Sequence, residues 1–245
     1  MLLIKISGHE LDSPAYLDGL AEALRALSGA VVIVHGGGKE ITQMQERMGI
    51  TPTYHEGVRI TDADSLALVE MVLCGAVNKR LVRTLVNAGI NAIGLSGVDG
   101  GIVRAEKMAH ATVDMGFTGS ITWVNSDPVR ALLDADYIPV IAPISIGRDS
   151  NFNVNADHVA GAIATVMGVD RLIFLSNVPG VLVDGMVVPR LTAAAAEALI
   201  ADGTIFGGMI PKIRTAITAA ASGVLAAVIT DLDGLRSGGG TAITS

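Results

Sequence analysis

Two predicted strands near the start of the chain both run into glycine. Residues 2–7 and 30–35 are mostly apolar, and they lead into Lys5-Ile-Ser-Gly8 and His35-Gly-Gly-Gly38. Glycine has no Cβ, so the backbone N–H groups of such a turn can approach a ligand closely. N–H groups at a strand-to-helix turn bind anions, and Lys5 adds a positive charge beside them. We predict a phosphate or carboxylate site here, although three glycines alone are also typical of a tight turn.

The composition favours an aliphatic α/β core. Half of the 245 residues are hydrophobic but only 3% are aromatic, which suits parallel strands covered by helices on both faces. The formal net charge of −7 argues against nucleic-acid binding, which usually needs a basic face. The single cysteine, Cys74, excludes a disulfide framework. No signal peptide or apolar run of about 18 residues is evident, so we expect a cytoplasmic protein without membrane contact.

Predicted strands and helices alternate along the chain, which is typical of a right-handed, mostly parallel α/β sheet. The segment 51–60 has the pattern of a hairpin, and residues 101–123 that of short antiparallel strands. Further core strands are predicted at 91–96, 137–142, 171–176 and 224–230. Helices are predicted at 13–27, 39–48, 61–74, 78–87, 127–135, 155–168, 192–202 and 211–222.

Two distant segments add polar groups that suit a phosphate site. Asn153-Val-Asn155-Ala-Asp157 places three polar side chains on one side of an extended segment. Capping of the next helix explains one or two of them, but not all three. Lys212 follows Gly207-Gly-Met-Ile-Pro211 and falls in the first turn of a helix, where the dipole disfavours a cation. A phosphate-binding lysine is therefore favoured over a merely solvated one.

Other motifs are less specific. The segment Ser176–Leu182 follows a strand and is either a simple turn or a resting place for a nucleotide base. Arg59 suits a bidentate contact with a carboxylate, and equally a surface ion pair. P-loop and Rossmann fingerprints are missing. The five histidines show no metal-ligand spacing, and Cys74 is better explained as a core residue than as a nucleophile.

Taken together, these segments resemble the amino acid kinase family, and within it the N-acetylglutamate kinases. The resemblance covers nearly the whole chain. The matching segments occur in the family's order: Lys5-x-x-Gly8, His35-Gly-Gly-Gly38, Gly57-Val-Arg-Ile-Thr61, Asn78-Lys79, Asn153-Val-Asn-Ala-Asp157, Leu175-Ser-Asn-Val-Pro-Gly-Val-Leu182 and Gly207-Gly-Met-Ile-Pro-Lys212.

The resemblance implies an open αβα sandwich around a mostly parallel sheet, the carbamate kinase-like fold, as one domain over residues 1–245. An N-terminal lobe of about residues 1–168 would bind the acyl amino acid. A C-terminal lobe of about 169–245 would bind ATP, with Mg²⁺ held mainly by the nucleotide phosphates and no metal site in the protein. The implied reaction phosphorylates the γ-carboxylate of N-acetyl-L-glutamate, in arginine biosynthesis. A carboxylate is ionised at pH 7, so this reaction needs no general base.

The family's functional residues carry over to matching positions. Lys5 and Lys212 would stabilise the transferring phosphoryl group, and Asp157 would orient both lysines. Gly8 and Gly37 would donate backbone N–H bonds to the same group. The acyl amino acid would be held by Gly37, Gly38, Arg59 and Asn153. The ATP site would be lined by Ser176, Asn177, Val178, Gly180, Val181, Leu182, Thr204, Ile205 and Phe206.

The chain departs from the family pattern at Ser7, where glycine is usual, and at Asn177, where aspartate is usual. Residues 70–82 and 176–180 are similar to the kinases of lysine biosynthesis, which phosphorylate aminoadipate or glutamate attached to a carrier protein. That activity, with an acidic carrier protein as partner, is one alternative. A non-catalytic amino-acid or nucleotide sensor is another. Arginine-inhibited relatives carry an extra N-terminal helix, so we expect a homodimer that is insensitive to arginine.

Overall fold

The computed structural model describes residues 1–244. Its strands are β1 Leu2–Ile6, β2 Val31–His35, β3 Thr53–His55, β4 Val58–Ile60, β5 Ala92–Ser96, β6 Val103–Lys107, β7 Gly119–Val124, β8 Ile138–Ala142, β9 Ile144–Ile146, β10 Asn151–Asn153, β11 Arg171–Leu175, β12 Leu182–Val183, β13 Met186–Val187, β14 Arg190–Thr192, β15 Ala226–Thr230 and β16 Thr241–Thr244. Its α-helices are α1 Pro14–Ala26, α2 Gly38–Arg47, α3 Ala63–Glu70, α4 Asn78–Asn87, α5 Asp127–Asp134, α6 Ala156–Met167, α7 Ala193–Ala201, α8 Met209–Ala221 and α9 Leu232–Ser237.

Eight strands form the main sheet, in the order β14-β16-β15-β11-β1-β2-β8-β5. All neighbours from β15 to β5 are parallel, and only β15 and β16 pair antiparallel. The last residue of β1, Ile6, pairs with His35 of β2 on one side and Leu175 of β11 on the other. The turns after these three strands therefore meet at one edge in the middle of the sheet. The predicted mostly parallel α/β fold is confirmed.

Aliphatic side chains fill both faces of this sheet, because successive residues of a strand point to opposite sides. Leu3, Val32 and Val34 belong to a buried cluster on the face covered by α6 and α8. Ile4 and Ile33 belong to a second cluster on the opposite face, covered by α1 and α4. Lys5 shares the face of Leu3, and its side chain therefore points towards α6.

Smaller elements surround the main sheet. Strands β6 and β7 pair antiparallel in a four-stranded sheet, and β3 and β4 form a hairpin, both as predicted. The predicted gap between helices 61–74 and 78–87 is wrong. A π-helical stretch, Met71–Val77, joins α3 to α4 without a break, and it contains no proline that would interrupt the backbone hydrogen bonds. Five short elements were not predicted, because their two to six residues show no clear hydrophobic period: β9, β12, β13, β14 and α9.

Candidate active site

A cleft of about 720 Å³ opens where the turns after β1 and β2 meet the start of α6 and α8. The predicted catalytic and acyl-binding residues come from five separate segments of the chain. All eight of them line this cleft: Lys5, Gly8, Gly37, Gly38, Arg59, Asn153, Asp157 and Lys212.

Two lysines share one buried carboxylate in this cleft. The Nζ atom of Lys5 lies 2.7 Å from Oδ1 of Asp157, and the Nζ atom of Lys212 lies 3.2 Å from Oδ2. The Lys5 and Asp157 side chains are almost fully buried, and that of Lys212 is 13% exposed. Lys212 is thus not a merely solvated lysine. Asn155 caps α6 by accepting a hydrogen bond from the N–H of Asp157, so the capping interpretation holds for that asparagine.

The balance of charge in this group favours an anionic ligand. Burial lowers the pKa of Lys5, Asp157 opposes that shift, and Lys212 adds to it. Burial acts to raise the pKa of Asp157, but the two lysines outweigh it and hold that pKa below its ordinary value. Asp157 is therefore ionised at neutral pH, and both of its oxygens are occupied by lysines. Two cations and one anion leave a surplus positive charge that faces the cleft.

Gly8 and Gly37 lie in crowded places where the two turns meet. A Cβ added to Gly8 would lie 2.4 Å from the nitrogen of Gly37, and one added to Gly37 would lie 2.6 Å from Cδ2 of Leu73. Real Cβ atoms do not approach other atoms so closely. The N–H of Gly36 donates to the carbonyl oxygen of Ile6 at 3.0 Å and fixes the two turns to each other. Both turns line the cleft.

The buried side chains of His35 and Asn78 support the turn after β2. His35 Nδ1 lies 2.9 Å from the carbonyl oxygen of Gly36, and Asn78 Nδ2 lies 3.1 Å from His35 Nε2. A carbonyl only accepts, so Nδ1 carries the proton and Nε2 accepts from the amide. Burial lowers the pKa of His35 to about 4, which keeps the ring neutral. Asn78 belongs to a segment that matches the family, but its contact with His35 could not be predicted from the sequence.

Arg59 is held by neutral groups. Its Nη2 donates to Oγ1 of Thr42 at 2.8 Å and to the carbonyl oxygen of Gly38 at 3.2 Å, while Nη1 donates to the buried Gln45. Its guanidinium carbon lies 4.8 Å from the centre of the Tyr54 ring, in cation–π geometry. Within residues 1–244, Arg59 forms no ion pair with a carboxylate, so the surface ion pair is not observed. The guanidinium charge is therefore available to an external carboxylate.

The predicted ATP-binding residues lie outside the lining of this cleft. Residues 176–182 follow β11, and residues 204–206 precede α8. The side chains of Val181 and Ile205 belong to the hydrophobic core, so only their backbone could contact a ligand. The N–H of Val181 already donates to Thr241 Oγ1 at 2.8 Å, whereas the Phe206 side chain is 74% exposed. Nucleotide binding by these two segments stays a prediction.

A protein metal site, a nucleophilic cysteine and a membrane-spanning helix gain little support from the described residues. Among residues 1–244, no three His, Cys, Asp or Glu side chains are grouped so as to hold a metal ion. Burial raises the pKa of the Cys74 thiol to about 11, which opposes a nucleophilic role. No helix within the same residues is long and apolar enough to cross a membrane.

Comparisons with known proteins agree with this geometry. An acetylglutamate kinase from Roseiflexus castenholzii is 51% identical over 238 residues, covering 97% of this chain and 92% of the relative. The crystal structure of smu.665 from Streptococcus mutans UA159 has a TM-score of 0.86 at 31% identity, covering 99% of this chain and 98% of that one. Carbamate kinase from Giardia lamblia bound to AMP-PNP, with a TM-score of 0.73 at 15% identity and coverage of 100% and 98%, shares the fold. The family model described as "Amino acid kinase family" matches residues 1–231, and this chain belongs to that family.

Proposed function

We propose that this protein transfers the γ-phosphoryl group of ATP to the γ-carboxylate of N-acetyl-L-glutamate, forming an acyl phosphate in arginine biosynthesis. The observation that carries the proposal is the buried group of Lys5, Asp157 and Lys212 beside two glycine turns. Relatives at 44–51% identity over nearly the whole chain are named acetylglutamate kinase, which supports this substrate.

The reaction would depend on alignment of the two substrates and on neutralisation of the charge on the transferring phosphoryl group. The carboxylate acceptor is already ionised at pH 7, so no side chain has to remove a proton. Lys5 and Lys212 would neutralise the charge that builds on the transferring phosphoryl group, while the N–H groups of Gly8 and Gly37 stabilise its oxygens. Asp157 would hold both ammonium groups in place. Preorganised donors of this kind need no rearrangement as the transition state forms.

Arg59 and Asn153 would fix the acceptor from the other side of the cleft. The Arg59 guanidinium lacks a carboxylate partner in the described residues, so it suits the α-carboxylate of the acyl amino acid. Asn153 Nδ2 donates to Thr61 Oγ1 at 3.0 Å, which leaves a second amide proton and the amide oxygen for the substrate. Gly37 and Gly38 would contact the same substrate through their backbone.

ATP would bind beside the end of β11, on residues 176–182 and 204–206, and Mg²⁺ would supply charge neutralisation on the phosphates. Both oxygens of Asp157 are occupied by lysines, so this carboxylate does not fit a metal ligand. The nucleotide phosphates would therefore hold the metal. The division into a lobe of about residues 1–168 and a lobe of about 169–245 follows from this placement of the two substrates.

The carrier-linked alternative is not favoured. It needs a basic surface at the mouth of the cleft to receive an acidic carrier protein, but Glu46 lines the cleft and Lys39 is paired with Asp12 at 2.7 Å. A non-catalytic sensor would have no use for two buried lysines that share one carboxylate.

We also propose a homodimer that is insensitive to arginine. Sedimentation would test the homodimer, and turnover in the presence of arginine would test the insensitivity.

A hydroxamate assay tests the proposed function. With ATP, Mg²⁺ and hydroxylamine, we expect product from N-acetylglutamate, and at least about tenfold less from N-acetylaminoadipate because one extra methylene misplaces the carboxylate. Lys212→Ala should remove most of the product. Lys107→Ala is the matched control, because Lys107 is half-exposed and pairs only with Asp114. A preference for N-acetylaminoadipate, or an unaffected Lys212→Ala variant, would contradict the proposal.

A further inference from the structure

The turn after β1 contains a serine–histidine pair that has no role in the proposal above. Ser7 Oγ lies 3.0 Å from His9 Nδ1. Ser7 is 8% exposed, whereas His9 is exposed and lines the same cleft as Lys5 and Gly8. Ser7 stands at the position where the family usually has glycine. The departure from the family pattern thus supplies the hydroxyl that holds the histidine ring.

This contact suits an anion at the other ring nitrogen of His9. An anionic oxygen only accepts hydrogen bonds, so it selects a ring that carries a proton on Nε2. In that tautomer the Ser7 hydroxyl can donate to Nδ1 and hold the ring in place. Ser7 and an anionic ligand therefore favour the same tautomer of His9.

The position of the turn selects the ligand for that donor. Strand β1 lies between β2 and β11. The turn after β2 is proposed to hold the acyl substrate, and the turn after β11 the nucleotide. The turn between them faces the group that passes from one to the other. Lys39 Nζ lies 3.4 Å from the carbonyl oxygen of His9 and 2.7 Å from Asp12, so this turn is also held from its outer side. The ammonium group of Lys5 lines the same cleft and makes the surroundings favourable for an anion.

We propose that His9, held by Ser7, binds the triphosphate of ATP through its Nε2–H group. This inference rests on the proposed function. It assigns a phosphate contact to His9, in a chain where Ser7 replaces the glycine that is usual in the family. Ser7 acts as a positioning residue that reaches the nucleotide only through the histidine ring. The bond is one hydrogen bond to a charged acceptor, so its loss should weaken ATP binding roughly tenfold.

Equilibrium binding of ATP and AMP, measured with Mg²⁺ present, tests this inference. His9→Leu should weaken ATP binding about tenfold and leave AMP binding unchanged, since AMP lacks the β- and γ-phosphates. His9→Gln keeps an N–H donor and should recover part of the loss. Ser7→Ala should have a smaller effect in the same direction, and adding it to His9→Leu should cause no further loss. His110→Leu is the control, because this exposed histidine does not line the cleft.

Three results would overturn the inference. They are unchanged ATP binding in His9→Leu, an equal loss for ATP and AMP, and a loss confined to N-acetylglutamate. Thermal unfolding of each variant identifies any that fail to fold, and His9→Gln then carries the test. The measurement reads nucleotide binding directly. A wild-type protein that binds ATP but does not phosphorylate N-acetylglutamate would refute the proposed function and leave the role of His9 to be judged on these affinities.

Discussion

Replacing Asp157 by asparagine should damage both stability and catalysis. The change keeps the shape of the side chain but leaves two lysine charges in a buried site without their anion. At 2.7 and 3.2 Å and an effective dielectric constant of about 20, each lost attraction is about 5–6 kcal/mol before solvation is counted. Removing one partner of a buried ion pair typically costs about 3–5 kcal/mol net. For a chain of this size, we expect the melting temperature to fall by about 10 °C.

The same substitution should change how kcat depends on pH. Burial already lowers the pKa of Lys5, and Asp157 is the group that counteracts this shift. Without the carboxylate, the pKa of Lys5 falls further and the side chain loses its proton at a lower pH. We expect kcat of Asp157→Asn to be reduced at least about 100-fold at pH 8. It should rise as the pH is lowered towards 6, where the acceptor carboxylate is still ionised.

Stability as a function of pH provides a second measurement. The folded-state pKa of Asp157 is lowered, so its contribution to the free energy of unfolding is present above the unfolded value of about 3.9. That contribution is lost as the pH falls through the folded-state pKa. The difference between wild type and variant should therefore be largest near neutral pH and should close below about pH 4. Denaturant unfolding at several pH values measures it.

Asp114→Asn is the control for this substitution, because the Asp114 side chain is 76% exposed and pairs with Lys107 on the surface. It should leave the melting temperature and kcat unchanged. The reasoning is refuted if Asp157→Asn keeps the wild-type melting temperature, or if its kcat follows the wild-type pH profile. Either result would mean that Asp157 does not set the charge state of the two lysines.

Three further substitutions probe the rest of the cleft. Gly8→Ala places a Cβ 2.4 Å from the backbone nitrogen of Gly37, so kcat should fall at least about 100-fold as the turns separate. Asn78→Leu leaves His35 Nε2 without a donor in a buried site, and the free energy of unfolding should fall by about 1–3 kcal/mol in a denaturant titration. Arg59→Lys loses the planar guanidinium, and the KM for N-acetylglutamate should rise about tenfold while the KM for ATP is unchanged in steady-state kinetics.

Gly75→Ala is the control for the first of these, because a Cβ there meets nothing within 4 Å. Wild-type kinetics for Gly8→Ala would show that the turns tolerate separation. An undiminished free energy of unfolding for Asn78→Leu would mean that the His35 contact contributes nothing. Equal increases in both KM values for Arg59→Lys would mean that the arginine supports the cleft as a whole rather than one substrate.

The main sheet was predictable because its signals are local and repeated. Core strands such as β1 and β2 are runs of aliphatic residues bounded by glycine, and the order of strands and helices favours a parallel α/β sheet. The continuous helix from Ala63 to Asn87 was not predicted, since its π-helical stretch disturbs the hydrophobic period. The hairpin of β12 and β13 was missed because two-residue strands carry no measurable alternation.

The order of amino acids specifies which groups are available: the lysines, the glycine turns, and an aspartate at the start of a helix. It could not determine that Lys5, Asp157 and Lys212 form one group, because they are more than 50 residues apart in the chain and meet only through packing of α6 and α8 against β1. Nor could it show that Asn78 reaches His35. Strand pairing and helix packing bring distant segments within hydrogen-bond distance, and those contacts are a property of the tertiary structure alone.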